Sequence, residues 1–130
     1  MKRNILQVLW ALGLFVYLSS CATPSTKASL PDFATSLTRQ MADKARLTEG
    51  QYDRVRKLHM HQLAEVKRLK KQLVHQPILL QNRLEEVRTL YEWELATILL
   101  PEQVALLEPY QSEFTARLVE STGQTEAESL

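Results

Sequence analysis

Two long amphipathic segments, separated by the turn His75-Gln76-Pro77, constrain this sequence more than any other feature. In both segments apolar side chains recur at steps of three and four residues, which places them on one side of a helix. Proline fits the first turn of a helix and disfavours helical geometry at the residue before it, so we predict one helix from Thr48 to the turn and a second from Pro77. The apolar positions are Tyr52, Val55, Leu58, Leu63, Val66, Leu69 and Leu73, and then Leu80, Leu84, Val87, Tyr91, Leu95 and Ile98.

Shorter helical patterns flank this pair. Apolar residues at steps of four predict a helix over about 31–46, and another helix is predicted from Pro101 with a kink or break at Pro109. The 130 residues contain only three glycines, as expected of a helical protein. We predict an all-α fold, an antiparallel helical hairpin with shorter flanking helices, in one domain over residues 31–119. So short a chain buries a limited core, which predicts an elongated dimer.

The two long segments carry opposite charge. Between Thr48 and His75 there are seven Lys and Arg and three Asp and Glu, a net charge of +4. Between Pro77 and Glu120 there are three Arg and eight Glu, a net charge of −5. Such exposed pairs contribute only about 0–1 kcal/mol each, but they can steer the orientation of one segment on the other. The alternative is that the two segments are solvated faces that happen to differ in sign. The chain as a whole is at +1, which gives no indication of nucleic-acid binding.

The first twenty residues have the organisation of a signal peptide. Lys2 and Arg3 give a positively charged start, and an almost continuous apolar run follows from Ile5 to Leu18. A helix of these 14 residues spans about 21 Å, which is shorter than a bilayer core of about 30 Å. We therefore predict a cleaved signal peptide over residues 1–20.

The single cysteine lies directly after this segment. Leu18-Ser19-Ser20-Cys21 resembles a lipobox, the processing site of bacterial lipoproteins. The resemblance implies transfer of diacylglycerol to the Cys21 sulfur, cleavage before Cys21 and acylation of the new amino group, and two or more acyl chains anchor a protein stably. The alternative is an ordinary signal peptide in which Cys21 is incidental. Residue 22 is Ala rather than the Asp associated with inner-membrane retention, so we expect an anchor in the outer membrane, facing the periplasm.

The regions on either side of the helical patterns are polar and aperiodic. Residues 21–30 are rich in Ser, Thr and Ala, and we predict a lipidated, flexible tether there. Residues 120–130 are polar without apolar periodicity, and we predict a disordered tail.

A capping motif starts the second helix. In Leu47-Thr48-Glu49-Gly50-Gln51, which has the form LTxxQ, the Thr48 hydroxyl can accept from the amide of Gln51 while the Gln51 side chain accepts from the amide of Thr48. Leu47 precedes the cap, where it can pack on Tyr52. Capping is the default meaning of such a motif.

A related element starts the last helix. Leu99-Leu100-Pro101-Glu102-Gln103 has Pro101 at the first helical position and Gln103 at the third. Leu100 stands where a capping Thr is expected, and leucine cannot cap, a loss of about 1 kcal/mol. We expect Pro101 and burial of Leu100 to compensate.

Two such elements flanking a basic and then an acidic helical segment resemble the Spy/CpxP, or LTXXQ-motif, family of periplasmic proteins. The resemblance covers residues 33–111 by pattern rather than by identity. It implies an ATP-independent chaperone, a thin, cradle-like helical dimer with a concave face for unfolded clients, and the family includes stress-sensing and metal-resistance relatives. Lipid anchoring is not a feature of its best-known soluble members.

A surface for unfolded clients needs apolar residues off the core stripe, among charges. Trp93 lies well away from the stripe of its helix and Met60 lies off the stripe of the preceding one, so both are candidate client-binding residues. The alternative is that the first helix or a dimer partner buries both.

The remaining side chains give little indication of other chemistry. His59 and His61 point in different directions from a regular helix, and His61 with Glu65 makes only two ligands, so we predict no metal site. There is no Gly-rich phosphate loop and no nucleophile–base set, so we predict no enzyme and no cofactor. The expected partners are unfolded envelope proteins, the membrane through the lipid, and a second copy. The rival hypotheses are a sensor or adaptor for one envelope partner, with or without modulation by a metal, and a structural envelope lipoprotein.

Overall fold

The computed structural model describes residues 28–120, and the prediction of an all-α fold is confirmed. The elements are α1 (Leu30–Ala45), α2 (Glu49–Gln72), α3 (Pro77–Ile98), α4 (Pro101–Leu107), a 3-10 turn (Glu108–Tyr110) and α5 (Gln111–Glu120). The predicted signal peptide, the lipidation residue Cys21 and the tail after Glu120 lie outside the described residues.

The helical part extends one residue beyond each predicted domain boundary. Ser29, which the sequence analysis assigns to the tether, caps α1: its hydroxyl accepts from the Asp32 amide at 3.4 Å, and the Asp32 carboxylate accepts from the Ser29 amide at 3.3 Å. This capping box starts the helix at Leu30, ahead of the predicted start at Pro31. At the other boundary Glu120, assigned to the tail, is the last residue of α5.

The central helix is α2. α1 and α3 both pack on it, α4 packs on α1, and α5 packs on α2. Contacts between α2 and α3 join the start of one to the end of the other, since Gln51 contacts Ile98 and His59 contacts Tyr91. The two long helices therefore run in opposite directions, and α3 has its main neighbour, α2, on one side.

Apolar side chains on the predicted stripes form the core. Each fully buried Leu, Val or Met contributes about 1.5–3 kcal/mol to folding. The buried apolar residues are Ala34, Leu37, Met41, Ala45, Val55, Leu58, Leu63, Val66, Leu69, Val87, Tyr91, Leu95, Leu99, Leu107, Phe114 and Leu118. Within residues 28–120 no helix is long and apolar enough to cross a bilayer.

The break expected at Pro109 is present as a single turn of 3-10 helix. Proline has no N–H and its ring clashes with the preceding turn, so the α-helical hydrogen bonds cannot continue through it. The Lys44 ammonium lies 3.6 Å from the centre of the Tyr110 ring, and this cation–π contact ties the turn to the end of α1.

Candidate functional site

The structure confirms the capping box predicted at Thr48. The Gln51 amide donates to Thr48 Oγ1 at 3.3 Å, and the Thr48 amide donates to Gln51 Oε1 at 3.0 Å. Leu47, just before the cap, is partly buried against the core. The first motif therefore starts α2 as predicted.

The glutamines of the two motifs contact each other, although they are 52 residues apart in the chain. Gln51 Nε2 donates to Gln103 Oε1 at 2.7 Å, and Gln103 Nε2 donates back to Gln51 Oε1 at 3.0 Å. Gln51 Nε2 also lies 3.3 Å from the Ile98 carbonyl at the end of α3. We call this pair, with the helix ends it contacts, the glutamine junction.

Gln103 contacts the start of α4 and the end of α1, just as Gln51 contacts the start of α2 and the end of α3. Its Oε1 accepts from the Leu100 amide at 2.9 Å, and its Nε2 donates to the Ala45 carbonyl at 3.2 Å. The ends of helices leave N–H and C=O groups without intrahelical partners. Two side chains thus satisfy groups at the starts of α2 and α4 and at the ends of α1 and α3.

The second motif has only half a capping box. Leucine has no side-chain acceptor, so the backbone N–H of Gln103 has no hydrogen-bond partner in the Leu100 side chain. The expected burial of Leu100 is wrong, because its side chain is 58% exposed. Its backbone nevertheless has φ −74° and ψ 153°, close to the φ −70° and ψ 162° of Thr48, and Pro101 occupies the first helical position. The backbone adopts the conformation of a cap without the side chain of one.

A second polar network crosses the core between α1, α2 and α3. His59 is fully buried; its Nδ1 lies 2.8 Å from Thr38 Oγ1 and its Nε2 lies 2.9 Å from the Tyr91 hydroxyl. The Thr38 hydroxyl donates to the Ala34 carbonyl at 2.7 Å. Thr38 therefore accepts from Nδ1–H, and Nε2 accepts from the Tyr91 hydroxyl. Each donor in this network of Thr38, His59 and Tyr91 has an acceptor, and this arrangement requires the His59 tautomer with the proton on Nδ1.

Burial sets the ionisation of this network. Desolvation lowers the pKa of His59 from 6.5 to about 4, more than the hydrogen bonding associated with Ala34 raises it. Burial also raises the pKa of the Tyr91 hydroxyl, which stays protonated and able to donate. Both groups are neutral at neutral pH. His59 thus acts as a neutral hydrogen-bonding core residue that links three helices.

One side of α3, off its apolar stripe, exposes apolar residues among charges. Trp93 is 65% exposed and Leu90 is 47% exposed, and they border a shallow depression with Asn82, Glu86 and Thr89. Leu90 and Glu86 also line an open groove of about 710 Å³ between α2 and α3. We call this continuous region the α3 surface. The other groove residues are His61, Gln62, Glu65, Arg68, Leu69, Gln72, Leu73, Leu79, Arg83 and Val87.

Gln62 in this groove has a polar atom without a partner. The residue is 1% exposed, and its Nε2 is buried with no hydrogen-bond acceptor among residues 28–120. An unpaired buried amide destabilises a fold by about 1–3 kcal/mol, so such groups are rare and invite explanation. Gln62 lines the groove, but its Nε2 is covered in this structure, so an acceptor in the groove could reach it only after a local side-chain movement.

The two predicted client-binding residues differ in their exposure. Trp93 is exposed on the α3 surface. Met60 is partly buried against the core and lines neither the groove nor the depression beside Trp93. The structure does not bring Met60 and Trp93 together, and a client-binding role for Met60 stays a prediction.

Sequence reasoning missed Leu90 and Gln62. Leu90 lies three residues before Trp93, a spacing that puts both on one side of a helix and off the apolar stripe. Gln62 lies four residues after Leu58 and seven before Leu69, so it is a polar residue on an apolar stripe. Both signals were present in the sequence.

The histidines do not assemble a metal site. Both ring nitrogens of His59 are engaged by Thr38 and Tyr91, and His61 lies on the rim of the groove beside Glu65. Residues 28–120 contain no group of three or more His, Cys, Asp or Glu placed to hold an ion.

An apolar cavity between α3, α4 and α5 is also too small for a ligand. It has a volume of about 40 Å³ and is lined by residues that include Met41, Leu95, Leu107 and Phe114. Pockets for small molecules are usually about 300–1,000 Å³.

No family model, curated protein or solved structure matches this chain. The likeness to the Spy/CpxP family therefore rests on the two motifs and on the order of basic and acidic segments. In the structure, these two motifs are far apart in sequence but contact each other at the glutamine junction.

Proposed function

We propose that this protein is a membrane-anchored periplasmic chaperone that binds unfolded or misfolded envelope proteins without ATP. The observation that carries the proposal is the α3 surface, on which Trp93 and Leu90 are exposed beside an open groove. Exposed aromatic and aliphatic groups bind apolar segments of many sequences, because the attraction depends on area rather than on specific geometry.

The polar residues of the groove suit a chain that is unfolded. Gln62 has a buried amide without an acceptor, and an extended polypeptide has free backbone carbonyls. The groove carries both signs of charge, from Arg68 and Arg83 and from Glu65 and Glu86. Neither acidic nor basic segments of a client are therefore excluded. Broad client selection follows from this combination.

Membrane anchoring is supported by the order of signal peptide, lipobox and tether. We propose lipid on Cys21, the sulfur of which forms the thioether, in the outer membrane and facing the periplasm. Metabolic labelling of expressing cells with a clickable palmitate analogue should mark the chain, and Cys21→Ser should abolish the label. A labelled Cys21→Ser chain, or an unlabelled native chain, would contradict the proposal.

Chaperone activity is tested with denatured proteins. Residues 22–130, purified without nucleotide, should suppress the aggregation of several unrelated denatured proteins at near-stoichiometric ratios. Trp93→Ser and Leu90→Ser should each weaken protection, and both should leave the thermal unfolding temperature nearly unchanged because both side chains are exposed.

Leu106→Ser is the matched control, since Leu106 is an exposed leucine of α4 that does not line the α3 surface. Equal loss of protection in Leu106→Ser and Leu90→Ser would show a general effect of surface hydrophobicity and would remove the site. Protection of no denatured protein, with tight binding to a single envelope protein, would favour the sensor or adaptor. Neither activity would favour a structural lipoprotein, and dimerisation that covers Trp93 would also exclude client binding there.

A further inference from the structure

We propose that the end of the α2–α3 pair opposite the glutamine junction is a contact site for an anionic lipid surface. This end, which we call the hairpin tip, runs from Lys67 to Arg83 and includes the turn between the helices. The proposal does not depend on chaperone activity or on lipidation, because it uses only the charge and exposure of the tip.

The charge of the tip has one sign. Residues 67–83 contain five Lys and Arg and no Asp or Glu. Arg68 and Arg83 form ion pairs with Glu65 and Glu86, so the exposed lysines Lys67 and Lys71 supply the positive charge that an anionic surface would meet. Lys67 and Lys71 are exposed, whereas Lys70 donates to the Val119 carbonyl. A basic cluster of this kind attracts anionic lipid headgroups.

The turn at the end of the tip presents apolar side chains outward. Ile78 is 78% exposed and Val74 is 60% exposed. The first turn of α3 contains no acidic residue, and Gln76 provides no side-chain cap. Apolar groups at an exposed turn, with lysines nearby, match the chemistry of a membrane interface, where the apolar groups enter the acyl boundary and lysines reach the headgroups.

The size of the apolar region favours lipid over a protein partner. A stable protein interface buries about 800 Å² on each side and involves about 20–30 residues. Ile78, Val74 and the less exposed Leu79 form a much smaller patch. A lipid surface can be contacted through a few inserted side chains, and the attraction of nearby lysines to anionic headgroups adds to that contact.

Hydrogen exchange of the full chain on vesicles tests the proposal. The amides of Ile78 and Leu79 lie in the first turn of α3 and have no intrahelical acceptor, so they exchange quickly unless something covers them. Residues 73–80 should exchange on the order of tenfold more slowly on vesicles of phosphatidylcholine with phosphatidylglycerol than on phosphatidylcholine alone. Lys67→Ser with Lys71→Ser, or Ile78→Ser alone, should remove most of this difference.

The control is Arg39→Ser with Arg54→Ser, which makes the same change in net charge at exposed residues outside the tip. This control should keep the full difference. Equal exchange on both kinds of vesicle would overturn the proposal, as would an equal loss in the control, which would indicate attraction of the whole molecule. Slowing that grows with protein concentration in neutral detergent, without vesicles, would assign the tip to a second copy of the chain instead.

Discussion

The two ends of the α2–α3 pair differ in how their polar groups are satisfied. At the glutamine junction, Gln51 and Gln103 pair with each other and with groups at four helix ends. At the hairpin tip, α3 starts without a side-chain cap and Ile78 faces solvent. One end is closed by hydrogen bonds made within the chain, and the other leaves apolar and charged groups available.

This difference separates the part of the molecule that holds the helices together from the part that is free to bind. Mutations at the junction should change stability, whereas mutations of exposed side chains at the tip and on the α3 surface should change binding and spare the fold. Between the two ends lies His59, which joins α1, α2 and α3 through Thr38 and Tyr91 and is the part of the core most sensitive to pH.

The largest loss of stability is expected at the junction. Gln103→Leu removes the partner of the Leu100 backbone amide and of the Ala45 carbonyl, and it leaves the Gln51 side-chain amide with only the Ile98 carbonyl. An unsatisfied buried group costs about 1–3 kcal/mol. We expect a loss of about 3–5 kcal/mol in the free energy of unfolding, measured by urea denaturation.

The double variant of Gln51→Leu and Gln103→Leu tests whether the two glutamines act as a pair. Its loss should be smaller than the sum of the single losses by about 1–3 kcal/mol, because the first substitution already removes the contact that the second would break. Additive losses would mean that each glutamine serves only its own helix start.

Acid should destabilise the middle of the molecule. His59 has a pKa of about 4 in the folded protein and about 6.5 when unfolded, so the unfolded chain binds the proton more readily between these values. Stability is complete above about pH 6.5 and falls as pH decreases, by a total of about 3 kcal/mol at pH 4. Urea denaturation at a series of pH values measures this slope.

His59→Gln should flatten the slope between pH 6.5 and 4, whatever its effect on stability at neutral pH. His61→Gln is the control and should keep the slope, because His61 is exposed on the groove rim. A flat profile for the native chain would mean that His59 is protonated in the folded state without penalty.

Much of the fold followed from local patterns in the sequence. Apolar spacing predicted the helices, the prolines at 77, 101 and 109 marked their starts or breaks, and Thr48 with Gln51 predicted a cap that the structure confirms. These features depend on residues within one or two turns of each other, which is why a single sequence reveals them.

The contacts between distant residues did not follow from those patterns. The pairing of Gln51 with Gln103 depends on how α1 and α3 end side by side, and no local rule gives that placement. The expectation that Leu100 is buried was wrong for the same reason, since burial depends on which neighbour covers a residue. Trp93 was identified as a candidate because an off-stripe aromatic residue is visible in the sequence.

A substitution of Gln62 tests whether its buried amide lowers the stability of the fold and contributes to client binding. Gln62→Met keeps the size of the side chain and removes the buried amide without an acceptor, so we expect a gain of about 1–2 kcal/mol in the free energy of unfolding. The same variant should protect denatured clients less well. A more stable variant with unchanged protection would show that this amide has no part in client binding.

The smallest change in stability is expected at the second motif, which has Leu100 where the first motif has the capping residue Thr48. Leu100→Thr supplies a hydroxyl to accept from the Gln103 amide, and the backbone already has the conformation seen at Thr48. Leu100 is exposed, so its replacement loses little buried area. We expect a gain of about 1 kcal/mol, read as a higher thermal unfolding temperature, and no gain from Leu100→Val, which cannot cap. An equal gain from both would point to the removal of an exposed leucine, and a loss from Leu100→Thr would mean that Leu100 has a packing role that its exposure does not reveal.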